Sequence, residues 1–269
     1  MERGIPLSEM IALRRRDGAD VVFTVTDDWT QGRTVFGGLL SALGVQAMRD
    51  VAGADWPLRA LQTNFVAPVE PGDVRFVVAL LRQGKNVRQV QCTLLSAEGV
   101  AATLVGVFGA DRESELPLRA PAQSPSEKTL EQASLLPFFK GISPNFTRQI
   151  DFHWAEGGFP YSHSDTWNSK VYLGLHDLGL DRELTTVMLA DAPPTPAISR
   201  FNKLVRSSSV SWALELRVSR PTELHTGGHW RIDIDTKACA NGYTNEVATL
   251  WTPDGEAAAF GYQVVAVFG

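Results

Sequence analysis

The sequence predicts an α+β protein built from two similar halves, each an antiparallel sheet wrapped around one central helix. Three observations carry this reading. First, LQTNFVAP at 61–68 is echoed by LELRVSRP at 214–221 and SAEGVAA at 96–102 by TPDGEAA at 252–258. An apolar stretch then closes on Val-Phe-Gly at both 107–109 and 267–269. Self-similarity in one order and spacing marks a duplicated unit. Second, short apolar–polar alternations fill both halves. In WRIDID, Trp230, Ile232 and Ile234 alternate with Arg231, Asp233 and Asp235, the pattern of a half-buried strand. Third, each half holds one helical segment, and the first is apolar almost all round, so other structure must wrap it.

In chain order, the first half gives strands at 21–26, 58–66, 74–82, 87–96 and 100–109. In the fourth of these, Val90, Cys92 and Leu94 alternate with Gln89, Gln91 and Thr93. The helix at about 38–52 falls between the first two strands, with Ser41, Gln46, Arg49 and Asp50 as its main polar residues. Short loops between the later strands favour an antiparallel meander. From residue 110 to 147 the chain turns rich in proline and charge and loses all period, which reads as a linker. The expected units are therefore 1–115, a linker at 116–147, and 148–269. In the second half, strands are expected at 148–154, 167–175, 209–218, 229–238, 244–251 and 257–268. A helix near 182–192 must stop at Pro193-Pro194. One long sheet curled around one buried helix, made twice, is a tandem (double) hot-dog.

Composition narrows the function. The 269 residues are 44% hydrophobic and 20% charged, with formal net charge −5, the range of a packed soluble protein. Arg14-Arg15-Arg16 is the nearest thing to a basic run, so nucleic acid is not an expected partner. No apolar run approaches the ~20 residues that span a bilayer, so membrane insertion is not expected either. The first residues, MERGIPLSEM, lack the shape of a signal peptide, and a cytoplasmic location is expected. Cys92 and Cys239 read as small core residues rather than a disulfide. The five histidines are scattered, without metal-ligand spacing, so neither a metal nor another cofactor is expected.

Four features carry chemistry. Gly37-Gly38 open the first helix with no side chain that could cap it, which leaves free backbone N–H groups. They can form an oxyanion hole, or simply let the helix pack closely. Asp191 follows Leu184, Val187 and Met188 at helical spacing, on the face that should be buried, and at the helix C-terminus. Burial and the macrodipole both raise its pKa, as a general base requires; it could equally be an Asp bonded to a frayed end. In SVSWALELRV, Val210, Trp212, Leu214 and Leu216 form an apolar face and turn Ser211 the other way. Gln263 is a lone amide in FGYQVVAVF and needs partners if buried. Taken singly, either could be structural.

Together these residues resemble the bacterial thioesterase II family of medium- and long-chain acyl-CoA thioesterases and their peroxisomal relatives, which are double hot-dogs. The resemblance rests on Val35-Phe36-Gly37-Gly38 opening the first helix and Asp191 late in the second. It rests also on Ser211 ten residues before Pro221 and on Gln263 in the last strand. It implies hydrolysis of an acyl-CoA thioester by water to free fatty acid and CoA, without cofactor or metal. In that scheme Asp191, Ser211 and Gln263 hold and activate the water, and the Gly38 N–H binds the thioester oxygen. Phe36, Leu39, Leu43 and Met188 are candidates for the acyl pocket, and a homo-oligomer, a dimer or higher, is expected. Two other classes stay open. One is a serine-nucleophile hydrolase, which lacks a GxSxG elbow and a histidine placed for Ser211. The other is a non-catalytic acyl-CoA or acyl-carrier binding protein that keeps the fold. A hot-dog hydratase would need a carboxylate–histidine pair, for which no histidine lies near either helix.

Overall fold

The computed structural model describes residues 4–18, 20–217 and 223–269. The first half runs through α1 (Leu7–Ala12), β1 (Arg15–Asp17), β2 (Asp20–Val25), a small ribbon of β3 (Thr30–Gln31) and β4 (Thr34–Val35), and α2 (Gly37–Ala52). It ends with β5 (Leu58–Phe65), β6 (Gly72–Gln83), β7 (Val87–Ser96) and β8 (Gly99–Gly109). The second half comprises β9 (Ser134–Leu135), β10 (Ile150–Glu156), β11 (Asn168–Leu175), α3 (Arg182–Ala190), β12 (Arg206–Leu216), β13 (Trp230–Ala240), β14 (Tyr243–Trp251) and β15 (Ala257–Phe268). Residues 110–133 carry neither helix nor strand, but Ser134–Leu135, inside the expected linker, pairs with β10 at the sheet edge.

The strands form one sheet in the order β1-β2-β6-β7-β8-β5-β12-β15-β14-β13-β11-β10-β9. The run β2-β6-β7-β8-β5 in one half is the reverse image of β12-β15-β14-β13-β11 in the other. The halves join where β5 lies antiparallel to β12, with Leu61 directly opposite Leu214. Those leucines begin the two repeated segments, so a pseudo-twofold axis passes between them. Leu61 also faces Gly106 and Leu214 faces Gly261, which makes Phe108 the counterpart of Gln263. The shared Val-Phe-Gly endings are therefore not equivalent positions, because β15 runs on to Phe268 past the point that matches Gly109. The turn glycines of the other repeat, Gly99 and Gly255, both adopt positive φ (119° and 80°), where an L side chain is strained. Residues 218–221 of the second segment, including Pro221, lie outside the described residues.

Helix α2 lies on β6, β7 and β8, helix α3 on β11, β14 and β15, and the two helices pack against each other. A Cβ on Gly44 would stand 2.8 Å from Leu104 Cδ2, so this glycine lets α2 settle onto the sheet. Leu39, Leu43, Met48, Phe76 and Phe108 are fully buried around it. Gln46, Arg49 and Asp50 of α2 are paired, whereas Ser41 Oγ is buried without a partner. Arg49, 5% exposed, donates to Asp181 Oδ2 (2.7 Å) and Glu183 Oε1 (2.6 Å) at the start of α3. Asp50 takes Arg14 and Arg16, and Asp73 takes Arg15, so the three-arginine cluster serves the fold. Cys92 is buried but Cys239 is exposed. It stands past a register shift in β13, where the strand leaves the core, so only Cys92 is the core residue that was expected of both. No helix among the described residues is long and apolar enough to cross a membrane.

Candidate active site

The site forms where the C-terminus of α3 meets the N-terminus of α2. The first backbone bond of α2 is Leu40 N–H to Phe36 O (3.2 Å), so the N–H groups of residues 37–39 are not used inside the helix. Asp191 supplies an acceptor from the other half of the molecule. It is the C-cap residue of α3, and the nearby Gly38 N–H favours its ionised form. The start of α2 thus faces a carboxylate from the other half of the molecule. A Cβ on Gly37 would lie 2.9 Å from Asp191 Oδ2, and one on Gly38 would lie 2.4 Å from the Phe36 ring and 2.9 Å from the Met188 carbonyl oxygen. Both glycines are therefore demanded by close approach. Gly37 admits the carboxylate, and Gly38 admits the backbone of α3.

The other oxygen chemistry comes from the sheet. Gln263 Nε2 donates to Asp191 Oδ1 (2.8 Å) and to Ser209 Oγ (2.7 Å). Burial pushes the Asp191 carboxyl up to about 7, against the opposing donations of Gln263 and the Gly38 N–H. The site thus holds a carboxyl that is half ionised near neutrality, an amide anchored to it, and a hydroxyl anchored to that amide.

Ser209 stands where Ser211 was expected. Directly opposed residues share a face of a sheet. Ser211 opposes Val264 and Asn64, on the outer face, where it lines a groove of about 400 Å³ with Gln62, Lys237, Asn245 and Tyr262. Trp212 opposes Gln263 on the helix side. A bulge between Ser209 and Ser211 makes Val210 an extra residue, and such a bulge re-aims the side chains on its far side. Val210, expected on the apolar face, is 39% exposed instead, and Ser209 turns inward to Gln263. Alternation in the sequence already set Ser211 apart from the core face, but nothing in it marks the bulge.

Of the expected acyl-pocket residues, Phe36 is buried and stacks on Phe146 at 4.0 Å. Leu39, Leu43 and Met188 are fully buried in the interface between the helices and sheet. The pocket beside Gln263 is lined instead by Ala190, Pro193, Trp212, Ile234, Ala248 and Gly261, together with Glu246. Glu246 was not singled out from the sequence. Its signal was parity: it shares the phase of Thr244, Ala248 and Leu250 along the strand, which is the inward phase.

Comparison with known proteins now bears on this geometry. Residues 25–109 match the acyl-CoA thioesterase N-terminal domain and residues 120–267 match the acyl-CoA thioesterase C-terminal domain. The chain belongs to the acyl-CoA thioesterase family. It is a thioester hydrolase of double hot-dog fold. Among solved structures, the thioesterase is similar to a hot-dog protein of unknown function from Alicyclobacillus acidocaldarius, with TM-score 0.85, 16% identity and 99% of each chain covered. The tesB protein of Mycobacterium avium subs paratuberculosis gives TM-score 0.77 at 13% identity over 98% of each chain. Acyl-CoA thioesterase II TesB2 of Mycobacterium marinum gives 0.73 at 12% identity, covering 97% of this chain and 98% of that one. These likenesses establish the fold of the thioesterase. Among curated proteins, none matches it.

Proposed function

We propose that this thioesterase hydrolyses acyl-CoA to free fatty acid and CoA by direct attack of water. Asp191 is the general base, and Gln263 and Ser209 hold the water beside it. The observation that carries this reading is the chain Asp191–Gln263–Ser209, closed by bonds of 2.8 and 2.7 Å around a carboxyl raised to about 7. A general base works best when its pKa lies near the working pH. Asp191 takes a proton from the water, the hydroxide attacks the thioester carbon, and CoA leaves as the thiolate. The carbonyl oxygen, negative in the tetrahedral intermediate, is met by N–H groups in the first turn of α2, with the positive end of that helix behind them. The Gly38 N–H, beside the Asp191 carboxylate, is one of these groups.

A serine route would need a base at the hydroxyl. Ser209 meets Gln263 Nε2, a donor that cannot accept its proton. Asp191→Asn keeps size and shape and removes the base. With CoA release read by a thiol reagent over a panel of acyl-CoAs, kcat should fall by about 10²–10⁴ while the protein stays folded. Undiminished turnover in Asp191→Asn, or an acyl adduct on Ser209 in rapidly quenched samples, would remove the mechanism.

A further inference from the structure

Glu246 lies directly opposite Gln263 in the β14–β15 pairing, so the two side chains share the inner face of the sheet. It is 6% exposed. Three threonine hydroxyls reach it: Thr195 from the segment after α3, Thr236 of β13 (3.5 Å) and Thr244 of its own strand (3.0 Å). All three meet Oε1, and Oε2 has no partner among the described residues. Tying the segment after α3 to the sheet thus needs only half of the carboxyl group. Packing does not call for the other half, since the same inward phase of β14 is filled by Ala248 and Leu250. A buried polar atom without a hydrogen bond is costly. Between Glu246 and Gln263 lies a small cavity whose other walls are Ala190, Pro193, Trp212, Ile234, Ala248 and Gly261. Its volume of about 10 Å³ admits one group the size of a hydroxyl.

We propose that this cavity is the far end of the acyl subsite and that Glu246 determines its specificity. The thioesterase takes short acyl groups that end in a hydroxyl, and that hydroxyl bonds directly to Glu246 Oε2. The placement rests on the water mechanism above, which sets the reacting carbonyl beside the Asp191–Gln263–Ser209 chain. Neighbouring strands lie about 5 Å apart, so a short acyl group extends from that carbonyl, past the Gln263 side chain, into the cavity. The small apolar walls at Ala190, Ala248 and Gly261 suit the methylenes that lead to its end. A hydroxyl is both donor and acceptor. It therefore meets Oε2 whether or not the carboxyl carries a proton. A methyl end would instead leave Oε2 buried against carbon, with no partner. A site built to bond a substrate hydroxyl rejects the analogue that lacks it far more strongly than an apolar pocket discriminates by size.

The test measures CoA release from ω-hydroxyhexanoyl-CoA and hexanoyl-CoA, which differ only in the terminal hydroxyl, by wild type, Glu246→Leu and Gly261→Ala. In wild type, kcat/KM should favour the hydroxylated substrate by about ten- to hundredfold. Glu246→Leu should bring that ratio close to one. A merely structural Glu246 would lower both substrates together and leave the ratio where it was. A Cβ on Gly261 would stand 3.5 Å from Trp212 Nε1 and 3.6 Å from the Ala248 Cβ, ordinary contact distances, so Gly261→Ala should fold. It narrows the cavity, and should lower hydrolysis of ω-hydroxyhexanoyl-CoA relative to acetyl-CoA, whose acyl group is too short to enter. A wild-type ratio near one would overturn the proposal, as would a ratio that survives in folded Glu246→Leu. If Glu246→Leu does not fold, Gly261→Ala decides, and a ratio to acetyl-CoA unchanged from wild type overturns the subsite. If wild type hydrolyses none of these substrates, the water mechanism fails separately. Calorimetric binding of the two corresponding CoA thioethers, which cannot be hydrolysed, then tests the subsite. Tighter binding of the hydroxylated thioether supports it, and equal affinity overturns it.

Discussion

At the scale of single residues, the site depends on which serine reaches Gln263. Ser209 does so at 2.7 Å, whereas Ser211 lies on the other face of the sheet beside Asn64. Ser209→Ala should therefore lower kcat, and its effect should not add to that of Gln263→Ala, since both hold one water. Ser211→Ala should leave kcat within about twofold of wild type, because its side chain points away from the site. The opposite ranking in parallel kinetic assays would return the role to Ser211. Asp191 also makes a prediction about stability. Its folded pKa of about 7 lies above the unfolded value of about 3.9, so the folded state binds the proton more tightly. The wild type then loses stability as pH rises from about 4 to about 7, and the loss is constant above that. Asp191→Asn should match wild type in thermal melts near pH 4 and exceed it near pH 8. A variant less stable than wild type at both pH values would contradict the raised pKa.

At the scale of elements, periodicity carried most of the information. Helix α2, expected at 38–52, spans Gly37–Ala52, and β7 and β15 fall at 87–96 and 257–268 as alternation indicated. These segments have one buried and one solvated face, which is what a period of two or 3.6 reports. What periodicity cannot report is a register shift. The bulge at Val210 costs one residue of alternation and reverses the facing of residues 206–209 relative to Trp212, so the serine expected from the sequence, Ser211, faces away from Gln263 and its neighbour Ser209 faces it. In the same way Asp191 was legible from its helical spacing and Gln263 from its isolation in an apolar strand. The approach of Asp191 to the α2 N-terminus was not legible, because it joins residues far apart in sequence. Deleting Val210 tests the role of the bulge. Without the extra residue the strand alternates regularly and Ser209 still opposes Val265, on the face of Gln263, so kcat should stay within a few-fold of wild type and Ser209→Ala should cost as much in the deletion variant as in the full chain. A Ser209→Ala change that costs nothing in the deletion variant would show that Ser209 no longer reaches Gln263.

At the scale of the whole molecule, two near-equivalent halves build one site. Ten residues past its cap Asp181, the second helix places Asp191; ten past Phe36, the first places Gln46. The counterpart of Gln263 is Phe108, fully buried, and the start of α3 is met by Arg49 instead of a carboxylate. The pseudo-twofold therefore preserves the frame and not the chemistry: one place gathers a carboxyl, an amide and the N–H groups that open α2, and its mirror position is filled by a buried ion cluster. The pKa of Asp191 is a property of this whole assembly, since the carboxyl comes from one half and the α2 terminus beside it from the other. The most direct measurement is the pH dependence of kcat/KM for acyl-CoA hydrolysis by the wild-type protein, which reports the free enzyme's essential base. An acid limb with its midpoint near pH 7 is expected, and Asp191→Asn should remove it along with most of the activity. A midpoint near pH 4, the range of an ordinary aspartate, or a limb that survives in Asp191→Asn, would contradict it.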